Sequence, residues 1–168
     1  TIRSSRPRYA RRLNSGVRYH NRRFREVIPM SHVSLEVAKQ VLQSQPFSQL
    51  LGAELTQFSS DGIELRVPIK DQIKQQNGFV HGGVIAYAAD NSLTFAGGLA
   101  LGAAVVTSEF KINYVRPALG DILVARANVI HAGKTQAVCS CRIFCIDSGD
   151  EVLCAIAQGT IASLSQPK

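Results

Sequence analysis

The chain has 168 residues, 45% of them apolar and 18% charged. That length and composition fit one domain with a hydrophobic core, with or without a tail, and exclude a chain disordered throughout. Its apolar runs fall short of the roughly 18 residues that a membrane-spanning helix needs, so no membrane partner is expected.

The net charge of +7 is concentrated at one end. Residues 1–29 hold nine Arg and a single acid, Glu26, whereas residues 30–168 hold ten basic and eleven acidic side chains. Met30, the one Met of the chain, follows the basic segment. A natural start at Met30 is expected, with 1–29 a non-native or disordered extension and 30–168 one domain. An acid-poor, Arg-rich segment also resembles an organelle transit peptide. Such an arm can bind nucleic acid by counterion release. No folded partner for its two Tyr and one Phe is evident, so no nucleic-acid partner is assigned. Four Cys without an apolar leader do not match a secreted disulfide scaffold, and a reducing, cytoplasmic setting is expected.

In chain order, His32–Gln45 places Leu35, Ala38, Val41 and Leu42 at helical spacing, which predicts an amphipathic helix ended by Pro46. Phe47–Leu51 reads as a short second turn stopped by Gly52. Ile63, Leu65 and Val67 alternate with Glu64 and Arg66, a half-buried strand paired with 54–58 through the turn at 59–62. The polar stretch 69–80 reads as loop. His81–Ala96 is small or apolar nearly all round, which predicts a buried helix that starts at Gly82-Gly83 and ends at Gly97-Gly98. The period then changes to two, with Val106, Ser108, Phe110, Ile112 and Tyr114 on one face. Residues 121–131, 135–146 and 151–163 are three more long strands joined by short turns, an antiparallel meander. One buried helix and five or six long strands predict an α+β fold, a long antiparallel sheet wrapped around one central helix: the hotdog fold. Its open edges invite pairing with a second copy.

Asp90 falls in the middle of the apolar helix. A carboxylate there is costly unless it is hydrogen-bonded, paired or used. It could bond Ser92, Thr94 or a helix end, reach water, or do chemistry. At the start of the same helix, His81-Gly82-Gly83 leaves backbone N–H groups beside residues without bulk, and these can donate to a polarised carbonyl. The plainer reading is a glycine start capped by His81. His81 and Asp90 are nine residues apart, about 13 Å along a helix. If both act on one substrate they come from different subunits, as in an isologous dimer with antiparallel central helices. Donors that polarise a carbonyl, with a carboxylate that attacks it or activates water, suit a thioester and need no metal.

Gln75-Gln76-Asn77-Gly78-Phe79-Val80-His81-Gly82-Gly83, followed by Asp90, resembles the hotdog acyl-CoA thioesterases of the phenylacetyl-CoA thioesterase (PaaI-like) type. So does Thr107-Ser108-Glu109-Phe110-Lys111-Ile112-Asn113-Tyr114-Val115-Arg116-Pro117. The resemblance covers residues 46–164. It implies hydrolysis of acyl-CoA, medium- or long-chain or aryl, without a cofactor, in a homodimer or dimer of dimers. It makes Asp90 the general base or nucleophile. It gives carbonyl polarisation to the Gly83 N–H with Gly82 beside it, and orientation of that end to His81. Thr107 falls where many members place the water, with Ser108 next to it. Many members carry Asn where this chain has Gln75, so Gln75 and Asn77 both stand as polar substrate ligands. Two alternatives remain: a hotdog enoyl-thioester hydratase or dehydratase, and a non-catalytic acyl-CoA-binding module.

Cys139, Cys141 and Cys145 share one strand face and Cys154 lies on the next strand, without metal-ligand spacing, so they read as buried small hydrophobes. Lys111, Arg116, Arg126, Lys134 and Arg142 are candidates for CoA phosphate contacts or for a solvated sheet face.

Overall fold

The computed structural model describes residues 33–164. The basic segment 1–29, Met30 and His32 lie outside the described residues. The first helix, α1 (Leu35–Gln43), starts at Ser34, whose hydroxyl accepts the Val37 N–H. It lays Ala38 and Leu42 against the sheet edge, while Val41, expected on the same face, is 50% exposed. A helix resting on one edge strand buries a narrow stripe, and Val41 falls outside it. Pro46 does more than end α1. It opens α2 (Pro46–Leu51), where its missing N–H costs nothing, and Gly52 closes α2 at a φ of 69°.

Strands β1 (Glu54–Ser59) and β2 (Gly62–Pro68) form the expected hairpin. Ile63, Leu65 and Val67 point into the core. Glu64, on the opposite face, is also buried. Thr56 Oγ1 (2.8 Å), Arg66 Nε (2.8 Å) and Arg126 Nε (2.7 Å) donate to its carboxylate, and Arg126 reaches on to Glu151. Burial pushes the Glu64 carboxyl up from its ordinary 4.5. The hydrogen bonds from Arg126, Thr56 and Arg66, with the Arg66 charge, outweigh burial and hold it at about 2. The Arg126 and Arg142 guanidinium groups both lie over the Phe144 ring, at 5.2 and 5.3 Å. Two of the five candidate CoA contacts are thereby engaged on the outer face of the sheet.

The connection after β2 contains a 3-10 turn at Asp71–Ile73 and a bridge between Lys74 and Val80. Val80 N–H donates to Ala118 O and His81 N–H to Ile73 O, which fixes where the central helix begins. That helix, α3 (Gly82–Leu101), runs 20 residues and passes straight through Gly97-Gly98, where a stop was expected. A Cβ at Gly97 would lie 2.5 Å from Ile161. The glycine serves close approach of helix and sheet, not termination.

Four long strands follow: β3 (Val105–Tyr114), β4 (Ile122–Ala132), β5 (Gln136–Asp147) and β6 (Asp150–Ser163). All pairings are antiparallel, in the order β1-β2-β4-β5-β6-β3. The meander holds for β4-β5-β6, but β3 sits at the far edge beside β6. The long helix carries the chain across the sheet before β3 begins, so β3 meets the last strand rather than the next. Its face also departs from simple alternation. Thr107 pairs with Ile161 and Glu109 with Thr160, which leaves Ser108 as the extra residue of a bulge. Val105 and Thr107 are therefore half-buried before the bulge and Phe110 and Ile112 after it, while Val106 and Ser108 are exposed.

The core lies between α3 and the concave face of the sheet. Ile85, Ala88, Ala89 and Leu93 of the helix meet Leu65, Leu123, Ile143 and Ile161 among others, all buried. The four thiols are buried too. Burial pushes Cys139 up to about 11 and Cys141 up to about 12. Burial and the neighbouring Cys154 put Cys145 at about 12. The four side chains pack as small apolar groups. A six-stranded antiparallel sheet around one long helix is the hotdog fold expected from the sequence.

Candidate active site

The face of α3 turned away from the sheet is set by helical spacing. Ala86, Tyr87, Asp90, Asn91 and Thr94 are half-buried, while Ala88, Ala89, Ser92 and Leu93 are buried against the sheet. Asp90 thus occupies the middle of the less covered stripe. Its Oδ1 is buried and has no hydrogen-bond partner among the described residues. Neither Ser92 nor Thr94 satisfies it. Ser92 Oγ is itself without a partner, and Thr94 Oγ1 donates to the Asp90 backbone carbonyl at 2.8 Å.

Thr107 comes to this place from β3. Its Oγ1 is 2.9 Å from Thr94 Oγ1. The bulge at Ser108 turns Thr107 toward the helix and leaves Ser108 exposed on the other side of the strand. Two hydrogen bonds therefore link the Asp90 backbone carbonyl to Thr94 and Thr94 to Thr107, and Ser108 is kept out of that group. In the sequence, Thr94 stands as a candidate partner for the Asp90 carboxylate. Its i+4 spacing from Asp90 was visible, but its contact with Thr107 spans the helix–strand connection.

The His-Gly-Gly end lies elsewhere. His81 caps α3, and its Nδ1 accepts the Gly83 N–H at 3.0 Å. An accepting Nδ1 places the ring proton of the neutral imidazole on Nε2. The Gly83 N–H that the sequence left free for a carbonyl is thus engaged by the cap. Gly82 is the first helical residue, and its N–H has no partner within the helix. Tyr114, at the end of β3, donates its hydroxyl to Gly82 O at 3.0 Å and lies against the glycine's open side. Within one chain the rigid helix holds His81 about 13 Å from Asp90 along its axis. Gln75 Oε1 accepts the Asn77 N–H at 3.0 Å, and the turn closes through Gln75 N–H to Phe79 O and Gly78 N–H to Gln75 O. The Gln75 carboxamide oxygen supports its own loop, while Asn77 is exposed on it.

One wall beside Asp90 is built by α2. Tyr87 OH donates to Ser48 Oγ (2.6 Å), Ser48 donates to Gln45 Oε1 (2.6 Å), and Asn91 Nδ2 donates to the same oxygen (3.0 Å). Burial raises the Tyr87 phenol above its ordinary value, and the Ser48 hydrogen bond only partly opposes this. Phe47 meets the Tyr87 ring edge-on at 5.2 Å and stays 54% exposed. A polar relay thus ties α2 to the residues flanking Asp90, with an aromatic pair in front of it.

Among the described residues no group of three or more His, Cys, Asp or Glu could hold a metal ion. No helix among them is long and apolar enough to cross a membrane.

Residues 77–152 match the family model of the thioesterase superfamily. A thioesterase family protein from Silicibacter pomeroyi superimposes with a TM-score of 0.70 at 30% identity, covering 74% of this chain and 93% of that one. A thioesterase from Haemophilus influenzae gives 0.68 at 29% identity, over 77% of this chain and 89% of its own. The acyl-coenzyme A thioesterase PaaI of Escherichia coli is 27% identical over 110 residues, 65% of this chain and 78% of that protein.

Proposed function

The chain belongs to the thioesterase superfamily and is a thioester hydrolase; from that premise we propose that it cleaves acyl-CoA, medium- or long-chain or aryl, at composite sites in a homodimer. The observation that carries the reading is the buried, unpartnered Asp90 Oδ1 on the less covered face of α3. A carboxylate oxygen shut from bulk water without a donor is destabilised unless something else donates to it. A substrate water would do so.

In the proposed reaction Asp90 takes a proton from that water, whose oxygen adds to the thioester carbonyl carbon. The developing oxyanion is held by N–H groups at the start of the partner subunit's α3. The Gly82 N–H, which no described residue accepts, is open for this, and the Gly83 N–H joins when the His81 ring turns aside. Collapse breaks the C–S bond, and the departing CoA sulfur takes up the proton. Thr107 places the water, and Asn77 contacts the substrate from the loop before the helix. The Phe47–Tyr87 pair supports an acyl or aryl group lying beside Asp90.

Two features support the second subunit. Asp90 and His81 lie too far apart on one helix to share a reacting atom, and no strand among the described residues pairs with the edge of β3 away from β6. An isologous pairing with antiparallel helices would bring each Asp90 to the other chain's glycine end, twice.

The test is thiol release from acetyl-, octanoyl-, palmitoyl- and phenylacetyl-CoA, followed by subunit mixing. Asp90→Asn and Gly83→Pro are each expected to be nearly inactive. Pro is tolerated in the first helical turn and removes the N–H in question. Mixed dimers of the two would contain one intact site, so co-expression should restore about a quarter of wild-type activity. Absence of recovery would place each site within one chain. Hydration of an enoyl-CoA without thiol release would favour the hydratase, and tight binding without turnover the binding module.

A further inference from the structure

We infer that Thr94 is a positioning residue whose hydroxyl fixes the direction of the Thr107 O–H, so that Thr107 presents a lone pair, not a proton, to the attacking water. The inference rests on the proposed role of Asp90 and Thr107 and names a residue beyond it.

A threonine hydroxyl has one O–H to donate and two lone pairs to accept with. The Thr94 proton is committed, because its Oγ1 donates to the Asp90 backbone carbonyl at 2.8 Å. Thr94 Oγ1 and Thr107 Oγ1 are 2.9 Å apart. Two oxygens at that distance need a proton between them, and Thr94 has none left. Thr107 must therefore donate to Thr94. Its own lone pairs then remain, on a half-buried side chain two hydrogen bonds from the Asp90 backbone carbonyl.

The consequence is directional. A water between Asp90 and Thr107 would donate one proton to the carboxylate and the other to Thr107 Oγ1. Both protons are then held, and the water's lone pair is aimed away from the two acceptors, toward the carbonyl carbon. If the Thr107 hydroxyl were free to rotate, it could donate to the water instead. That would occupy one of the water's two lone pairs and leave its second proton without an acceptor to orient it. The Asp90 carbonyl, Thr94 and Thr107 thus form a short relay that ends at the water, and the relay is built on the same helical turn as the base.

The test compares kcat and KM for wild type, Thr94→Val, Thr94→Ser, Thr107→Val and the Thr94→Val/Thr107→Val double variant. The substrate is the acyl-CoA turned over fastest in the panel above, with Asp90→Asn as reference. Val keeps the shape of Thr without the hydroxyl, and Ser keeps the hydroxyl without the methyl. Thr94→Val is expected to lower kcat by about 10- to 100-fold, with KM held within about twofold. Thr94→Ser should return kcat to within about threefold of wild type, which a loss of packing alone would not allow. The double variant should be no slower than Thr107→Val, because Thr94 acts through Thr107. Wild-type kcat in Thr94→Val overturns the inference, as does a double variant whose loss equals the product of the single losses. If Asp90→Asn is inactive and Thr94→Val is normal, the inference about Thr94 alone falls. If Asp90→Asn stays active, the proposed role of Asp90 falls and the inference falls with it.

Discussion

Among the described residues, Glu64 and Asp90 both shelter carboxylate oxygens from water, and they are treated in opposite ways. Glu64, on the outer face of the sheet, is saturated with donors: Thr56, Arg66 and Arg126 all reach its carboxylate. Asp90, on the less covered face of α3, has a buried oxygen with no donor among the described residues. Donors were available near both, since Ser92 and Thr94 lie two and four residues beyond Asp90. Thr94 turns its proton to the backbone instead, and Ser92 Oγ stays unpaired. A structural acid is recognised by how completely it is satisfied, and a functional candidate by what the fold withholds from it.

The strongest way to break this contrast is Asp90→Asn. Turnover should fall by about 10³-fold, with the melting temperature unchanged or raised, because an unsatisfied carboxylate is removed. Thiol release and a thermal melt on one preparation check both halves, and a cold-sensitive loss of stability with normal turnover would reverse the assignment. Glu64→Gln is the mirror experiment. It should leave thiol release near wild type and cost about 2 kcal/mol of stability, as expected for lost hydrogen bonds to a charged group. Denaturant melts at neutral pH measure it.

The same residue sharpens the contrast through pH. The folded Glu64 carboxyl titrates at about 2, below its ordinary 4.5. Its contribution is therefore complete above about pH 4.5 and is lost as pH falls through about 2. Wild-type stability should drop across that window, and the drop should be shallower in Glu64→Gln when both are melted from pH 5 to pH 2. The smallest expected effect belongs to the helix start. His81→Ala removes the cap on the Gly83 N–H and should cost about 1 kcal/mol. Urea melts of the variant measure this, and an unchanged midpoint would show that the imidazole is not holding the helix end.

Much of the fold was legible because it depends on local periodicity. The small, apolar run that opens at Gly82 forms the central helix, and the alternation of Ile63, Leu65 and Val67 places them in the core. The hairpin turn at 59–62 was equally plain, since a Gly-containing polar turn between two alternating runs has few other uses. Glycine was harder. Gly52 and Gly97 look alike in the sequence, yet one ends a helix at positive φ and the other lets a helix touch Ile161. That difference lies in what stands opposite each glycine.

The candidate site divides along the same line. By itself the sequence determined that an acid lies in mid-helix, that a His-Gly-Gly start precedes it by nine residues, and that a Thr-Ser pair enters a later strand. These follow from order and spacing along one chain. Tertiary structure alone decided that β3 lies beside β6, that the bulge selects Thr107 over Ser108, and that His81 already occupies the Gly83 N–H. It also decided that Arg126 donates to Glu64 while no described donor reaches the buried Asp90 Oδ1. The physical reason is that a hydrogen bond joins atoms near in space, and Glu64 and Arg126, or Thr94 and Thr107, become neighbours only when the sheet has closed around the helix.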